Sequence, residues 1–449
     1  MSKQKIQLSD HFTYPRLLRF VLPAVGTMLF TSIYGIVDGL CVSNFVGKTA
    51  FAAVNLIMPL PQLLATIGFM LGTGGSAIVG ITLGEGDQKK ADRYFTLFLL
   101  AALVSVSVLA VLGIVFLRPI AVLLGAKGEL LDYAVRYGRI LMVSLPTFAL
   151  QNMFQSFFVT AEKPHLGFWF TVGAGCTNMV LDVLMVGIWG WGVEGAAIAT
   201  FISQLVGGVL PVFYFIDRSN SSRLHLCKTS FYSKVLRDAC INGSSELMTN
   251  LSMSLVNILY NFQLLRLAGE NGVAAYGVIM YAAFLFVAVF VGYAVGSAPI
   301  VSFHYGARNH AEVHNLYRKS LRLIAVVAVT LTLASMFIIP CVARIFVGYD
   351  AELLALTSRA FRLYALSFLI MGFNVYASSF FTALGDGVTS ALISFLRTLA
   401  FQVIAILLLP LLLGIDGIWL AVTAAELAAL AVSAAMLLTK DKVFHYRKA

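Results

Sequence analysis

The sequence predicts an all-α integral membrane protein with twelve transmembrane helices. They are expected in two six-helix bundles, related by a pseudo-two-fold axis along the membrane normal. Three observations lead there. Of 449 residues, 59% are hydrophobic and only 12% charged, against roughly 45–50% and about 25% in soluble domains. Apolar segments recur along the whole chain, and the second half repeats the first. An ordinary soluble enzyme, a secreted module and a disordered regulator are excluded by that composition. Twelve spans of about 20 residues take roughly 240, leaving about 200 for loops, helix extensions and tails and no room for a soluble domain.

The segments run in order. The first, 15–41, follows a polar start (MSKQKIQLSDHFTYPRLLRF) that is too long for a signal peptide and shows no cleavage site, so it is expected to remain as a helix. The second, 51–83, carries Pro59 and Pro61 and should kink. Segments 94–117, 129–160, 165–189 and 194–216 complete the first lobe (1–216). The stretch DRSNSSRLHLCKTSFYS (217–233) is a polar linker. Segments 234–267, 272–305, 318–342, 352–384, 388–411 and 417–438 form the second lobe (234–449). Several are longer than a span requires, which implies tilt or extension past the bilayer. Strand patterning is missing, and an open sheet cannot span lipid.

Orientation follows from the basic residues. With the N-terminus inside, 21 of the 31 Lys and Arg fall on inner segments and five (Lys48, Arg118, Lys127, Arg266, Arg344) on outer loops. Both termini are therefore expected in the cytoplasm. The net charge of +10 thus reads as topology rather than as a nucleic-acid surface. The five cysteines are scattered, with no CxxC and no disulfide framework.

A shift of 222 residues superposes the halves. Gly47 falls on Gly269, Gly74 on Gly296, Gly84 on Gly306, Asn152 on Asn374, Thr160 and Ala161 on Thr382 and Ala383, and Gly192 on Gly414. Six spans per half is an even number, so the halves share orientation, an arrangement typical of secondary transporters with a substrate site between lobes.

Ionisable residues inside a membrane are costly and mark candidate sites. Here they are Asp38, Asp182, Glu246, Arg397 and Glu426. Asp38 and Asp182 lie at similar depth in the outer half of the first lobe. Asn178 is one turn from Asp182 on the same face, and Thr200 reaches that depth from the sixth segment. These four could share a proton between two acids, hold a hard cation such as Na+, or simply hydrogen-bond neighbouring helices. The repeat puts Tyr260, Ala400, Ile404 and Val422 at the corresponding positions of the second lobe. An asymmetric polar site on a symmetric scaffold reads as function. Glu246, beside Asn250, could meet a cationic substrate, take a proton, or stay wet near the inner mouth. Arg397 and Glu426 are expected to form a structural ion pair. Asn152 and Asn374 are further candidates for substrate contact. Pairs spaced as GxxxG (Gly35/Gly39, Gly68/Gly72, Gly80/Gly84, Gly292/Gly296) suggest close helix packing. His310 and His314, spaced i, i+4, lack further ligands and read as a solvated face. Walker, nucleophile-elbow and HExxH motifs are all missing, so energy is expected from an ion gradient.

At these residues the chain resembles the multidrug and toxic compound extrusion (MATE) family over nearly its whole length. The likeness rests on SIYGIVDGLCVSNFVG (32–47), NMVLDVLMVGIWGWGVEGAAIATFISQ (178–204) and the TALGDG turn (382–387). GSSELMTNLSMSLVNILYN (243–261) resembles a bacterial drug-exporting subgroup of that family. The resemblance implies a V-shaped pair of bundles, alternating access and H+ or Na+ antiport. It implies that Asp38, Asn178, Asp182 and Thr200 match a cation or proton site, with Tyr137 beside it. Some members carry coupling acids on helices 7 and 10 instead. Here the tenth segment has Glu352 at its outer start and no acid deep inside, which favours the first lobe.

The expectation is a monomeric antiporter of the plasma (bacterial inner) membrane, embedded in the lipid bilayer, with no nucleic-acid partner. It would export amphipathic, often cationic, small molecules, with no cofactor beyond H+ or Na+ as coupling ion. An alternative is a flippase for lipid-linked or polyprenyl-linked substrates on a related fold. A large anionic head group would want a basic cavity, and Arg397 is the one deep basic residue. An intramembrane enzyme would need a nucleophile or metal cluster, and none is visible.

Overall fold

The computed structural model describes residues 6–46, 48–348 and 350–446, with side chains described except at 36, 39–45, 48 and 51. Expectations resting on Gly47 and the terminal Lys3, Lys5, Arg447 and Lys448 lie outside the described residues, and those resting on Gly39, Cys41 and Lys48 fall where only the backbone is described. All regular structure among the described residues is helical.

The chain forms twelve spans. α1 is Tyr14–Phe45. α2 begins as Lys48–Ile57 and resumes as Pro59–Gly84, because Pro59 and Pro61 bring no N–H to the helical ladder. α3 is Gln88–Leu123 and α4 is Glu129–Thr160. α5, Pro164–Asp182, ends in a π turn at Val183–Ile188. α6 joins Gly192–Gly208 to Leu210–Ile216, broken just before Pro211. The helical run Ser233–Gly306 is two spans, because Gly269 has φ 60° and reverses the chain between α7 (233–268) and α8 (270–306). α9 is His310–Val347. α10 joins Ala351–Ala365 to Phe368–Ala383 across a 45° bend. α11 runs Gly387–Phe395, a π turn Leu396–Ala400, then Phe401–Leu413. α12 is Ile415–Thr439.

By length and apolarity nine described helices can cross a membrane, or ten with α10 taken as one bent span. In that number α7 and α8 are one continuous helical run, and α4, whose first turns carry Glu129, Asp132, Arg136 and Arg139, falls outside it. α4 tolerates these charges because its remainder is among the most buried stretches of the first lobe, packed by α2, α3 and α6. α3 and α9 are longer than the apolar runs 94–117 and 318–342, because each adds a polar, capped extension at the end that carries the termini.

The 222-residue repeat is visible in the backbone. Asp87 and Asn309 both cap a helix, accepting from the N–H of Lys90 and Glu312 at 3.0 and 3.1 Å. The residues before them, Gly86 and Arg308, both have positive φ (88° and 55°). Gly192 and Gly414 both have φ 59°.

The core divides unequally. One cluster takes buried side chains from both lobes, including Leu71, Phe95 and Phe157 from the first and Ala239, Ile300 and Phe380 from the second. It lies in the half nearer the termini. In the opposite half the lobes have separate cores, one built only from residues 50–197 and another only from 256–422. The lobes are thus joined at the termini end and part towards the other. Glycines set the join. A Cβ at Gly74 or Gly243 would strike the carbonyls of Ala239 or Met70, and one at Gly84 or Gly306 those of Phe303 or Ile81. α2 therefore touches α7 and α8 backbone to backbone. Gly292 and Gly296 likewise admit Val25 and Val21 of α1.

The chain before α1 straps this join. Leu8 and Phe12 are fully buried. The Leu8 N–H donates to Glu162 Oε1 of the first lobe at 2.9 Å. The Phe12 N–H donates to Glu312 Oε1 of the second lobe at 2.9 Å, and His11 Nδ1 lies 2.6 Å from Glu312 Oε2. Lys319 Nζ donates to the Phe12 carbonyl at 2.6 Å. Arg223 of the linker adds a tie, pairing with Glu162 at 2.5 Å while lying over the Phe303 ring at 4.9 Å.

Candidate functional site

Where the first lobe has its own core, α1, α5 and α6 bring Asp38, Asp182, Asn178 and Thr200 together. Asp182 and Asn178 are buried. The Asp38 carboxyl faces Asp182 and Asn178 at interaction range. Asn178 Nδ2 donates to Thr200 Oγ1 at a long 3.5 Å, and the Thr200 hydroxyl is spent on the Ala196 carbonyl at 3.0 Å. Asp38 Oδ1, Asn178 Oδ1 and both Asp182 oxygens are buried and receive no hydrogen bond. Buried polar atoms are nearly always paired. Four acceptors without donors therefore make a place for a positive species, either a proton held between two acids or an oxygen-liganded cation. Among the described residues no cluster of three or more His, Cys, Asp or Glu exists, so a cation here would also need amide and hydroxyl oxygens.

Local structure explains the geometry. Asp182 is the last α-helical residue of α5, and the π turn begins at Val183. A π turn inserts a residue and re-aims what precedes it, and such turns concentrate at functional sites. Tyr137 of α4 lies within electrostatic reach of both carboxyls and directs its hydroxyl to Met58 Sδ at 3.9 Å. Tyr34, which the sequence reading did not single out, also lies within reach of Asp38. It packs over Gly175, where a Cβ would meet its ring. Its i−4 spacing from Asp38 was the available signal.

The second lobe treats its acid differently. Glu426 is buried, and Asn374 Nδ2 donates to its Oε2 at 2.7 Å and to its carbonyl at 2.9 Å. Asn374 Oδ1 accepts from Ser433 at 2.9 Å. Arg397 Nη1 lies 3.9 Å from Glu426 Oε1, which is ion-pair distance without hydrogen-bond geometry. Asn374, expected to contact substrate, is fully buried and spends its amide on Glu426 and Ser433 instead. Asn152, at the equivalent place in the first lobe, is buried with an unpartnered Nδ2.

Glu246 lines a cavity between the lobes that takes Thr73, Ser76 and Ser156 from the first lobe and Ser378, Ser394 and Arg397 from the second. Arg397 thus stands between Glu246 on the cavity wall and Glu426 behind it. This cavity sits where the two lobes begin to part. His314 Nδ1 contacts the Tyr446 carbonyl at 2.9 Å, and the His310 ring faces His445.

Two bundles joined at one end, with a hydroxyl-rich cavity between them, buried acids in both lobes and a facing, unpartnered pair of acids in the first, define a multi-pass membrane transporter. The MatE family model matches the chain twice, over residues 23–184 and 247–408. The chain belongs to that family, whose members are membrane transporters and not enzymes. It is 21% identical over 431 residues to the multidrug export protein MepA of Staphylococcus saprophyticus, covering 95% of this chain and 94% of that one. It is also 21% identical over 432 residues to MepA of Staphylococcus aureus strain MSSA476, covering 96% and 95%. Among solved structures, a MATE protein in complex with MaL6 superposes over 100% of both chains with TM-score 0.91 and 22% identity. An outward-facing multidrug resistance MATE transporter does so with TM-score 0.91 and 23% identity, again over all of both chains. These matches do not favour the flippase alternative.

Proposed function

We propose that the protein is an ion-coupled antiporter of the bacterial plasma membrane that exports amphipathic, often cationic, small molecules by alternating access. Both termini are cytoplasmic in this reading, and the lobes divide at the 217–233 linker. The observation that carries it is the set of unpartnered acceptor oxygens on Asp38, Asn178 and Asp182, in a lobe whose repeat partner has none of these residues in register. The multidrug export proteins among its relatives support the choice of substrate.

Coupling is energetically necessary. Expelling a monovalent cation against an inside-negative potential costs about 2.3 kcal/mol per 100 mV before any concentration gradient. One inward H+ or Na+ recovers about the same, and a proton adds roughly 1.36 kcal/mol per pH unit. With the termini cytoplasmic, the joined end is the inner gate and the parted end faces out. The ion enters from outside and binds between Asp38 and Asp182, with Asn178 and Thr200 oxygens completing the site and Tyr137 beside it. Its single positive charge offsets the repulsion between the two facing acids, so α1 and α5 can close on one another, and the cavity face that holds the drug changes shape. The negative charge of Glu246 draws cationic substrates. Arg397 and Glu426 hold α11 to α12 behind it. Opening the inner gate requires α2 to leave α7 and α8, and the 6–12 strap to release Glu162 or Glu312.

The test is uptake of a fluorescent cation into inside-out vesicles under an imposed proton gradient or an imposed Na+ gradient. Uptake driven by one of them names the ion. Correctly inserted protein that responds to neither would overturn the antiport reading.

A further inference from the structure

At the termini end of the first lobe, two cavities share Arg19 and His165 and form one groove. The mechanism above does not use it. The head end, of about 490 Å3, is bordered by Arg19, Lys163 and His165, with Trp169 at its edge. The second part, of about 440 Å3, follows the α1–α5 seam past Leu18, Leu22, Gly26 and Phe168. The groove is basic at one end and apolar along the rest, and it opens on the outer face of the bundle. Glu162 is the acid at the head end, but its Oε1 is already held by Arg223 and the Leu8 N–H. The first turn of α5, starting at Pro164, adds its positive end to the same spot. Trp169 is 64% exposed, as expected of an amphipathic ring at the headgroup level.

We infer that this groove binds one anionic glycerophospholipid of the leaflet on the termini side. The phosphate sits among Arg19, Lys163 and His165, and an acyl chain lies along Leu22, Gly26 and Phe168. Charge complementarity selects an anionic headgroup over a zwitterionic one. The length of the apolar arm selects a lipid over a soluble phosphate. Because Ile6 also borders the head end, a seated lipid packs against the strap that joins the lobes.

The experiment delipidates the purified full-length protein in detergent, offers phosphatidylglycerol or phosphatidylcholine, and counts retained lipid by mass spectrometry. One phosphatidylglycerol per protein is expected, with little phosphatidylcholine. Arg19→Gln with His165→Gln should lower phosphatidylglycerol retention about tenfold or more. Gly26→Leu, which fills the apolar arm, should lower it as well, while Arg93→Gln, in a separate basic patch, leaves it unchanged. Brominated phosphatidylglycerol should quench tryptophan fluorescence more in the wild type than in Trp169→Phe. Unchanged retention in the double variant, equal retention of phosphatidylcholine, or displacement by glycerol 3-phosphate would each overturn the site. Equal quenching in Trp169→Phe would do the same.

Discussion

Asp182 in the first lobe and Glu426 in the second are both buried acids, each beside the π turn of its lobe's fifth helix or packed against it. Asp182 ends the α-helical part of α5 with neither oxygen partnered. Glu426 accepts from Asn374 and faces Arg397, which lies inside the π turn of α11. A buried carboxyl with a fixed donor and a counter-charge gains little from an arriving ion. One facing a second acid gains a great deal. The same scaffold therefore holds a committed acid and an uncommitted pair. The contrast argues that coupling belongs to the first lobe and packing to the second.

Several changes break or sharpen this contrast. The largest effect is expected from Asp182→Asn, which should reduce gradient-driven export to the background of empty vesicles while leaving membrane insertion intact on immunoblots. Arg397→Met comes next. It leaves Glu426 buried without its counter-charge, costing about 3–5 kcal/mol of stability. The readout is a fall in Tm in detergent, which Arg397→Met combined with Glu426→Gln should largely reverse. Asn374→Ala removes the donor to Glu426 and should cost about 1–3 kcal/mol by the same assay, with the choice of coupling ion unchanged.

A smaller effect is expected at the strap. Glu312→Gln weakens the charge-assisted contacts to His11 and the Phe12 N–H, by about 1–2 kcal/mol. The join should then open more often, read as faster labelling of Ser302→Cys by a thiol reagent applied from the termini side. The smallest is at the turn before α11. Burial raises the pKa of Asp386, but Lys440 Nζ at 2.8 Å and two bonds from Thr389 outweigh it and hold the carboxyl below its ordinary value. Its stabilising contribution is therefore full above the ordinary carboxylate range and fades as pH falls through the depressed value. Asp386→Asn should cost at most about 1 kcal/mol at neutral pH, and the difference from wild type should vanish in acid.

The spans were legible because a bilayer imposes long apolar runs, and their ends moved most at α3 and α9, which begin with polar, capped extensions. Asp38 and Asp182 were legible because an acid within such a run is conspicuous, and Asn178 because it lies one turn away. Three features were hidden. The π turns depend on a single inserted residue with no compositional mark. The bonding of Asn374 to Glu426 joins residues 52 positions apart. The strap lies in a polar segment that reads as a tail, yet it buries Leu8 and Phe12 between lobes. Each is set by tertiary contacts that no local pattern encodes.

The most direct measurement is gradient-driven uptake of a fluorescent cation into inside-out vesicles for Asp38→Asn, Asp182→Asn and Glu426→Gln side by side, at matched protein levels. The account predicts that uptake is lost in the two first-lobe variants and kept in Glu426→Gln. Uptake that survives both aspartate changes but fails in Glu426→Gln would move the coupling site to the second lobe and contradict it.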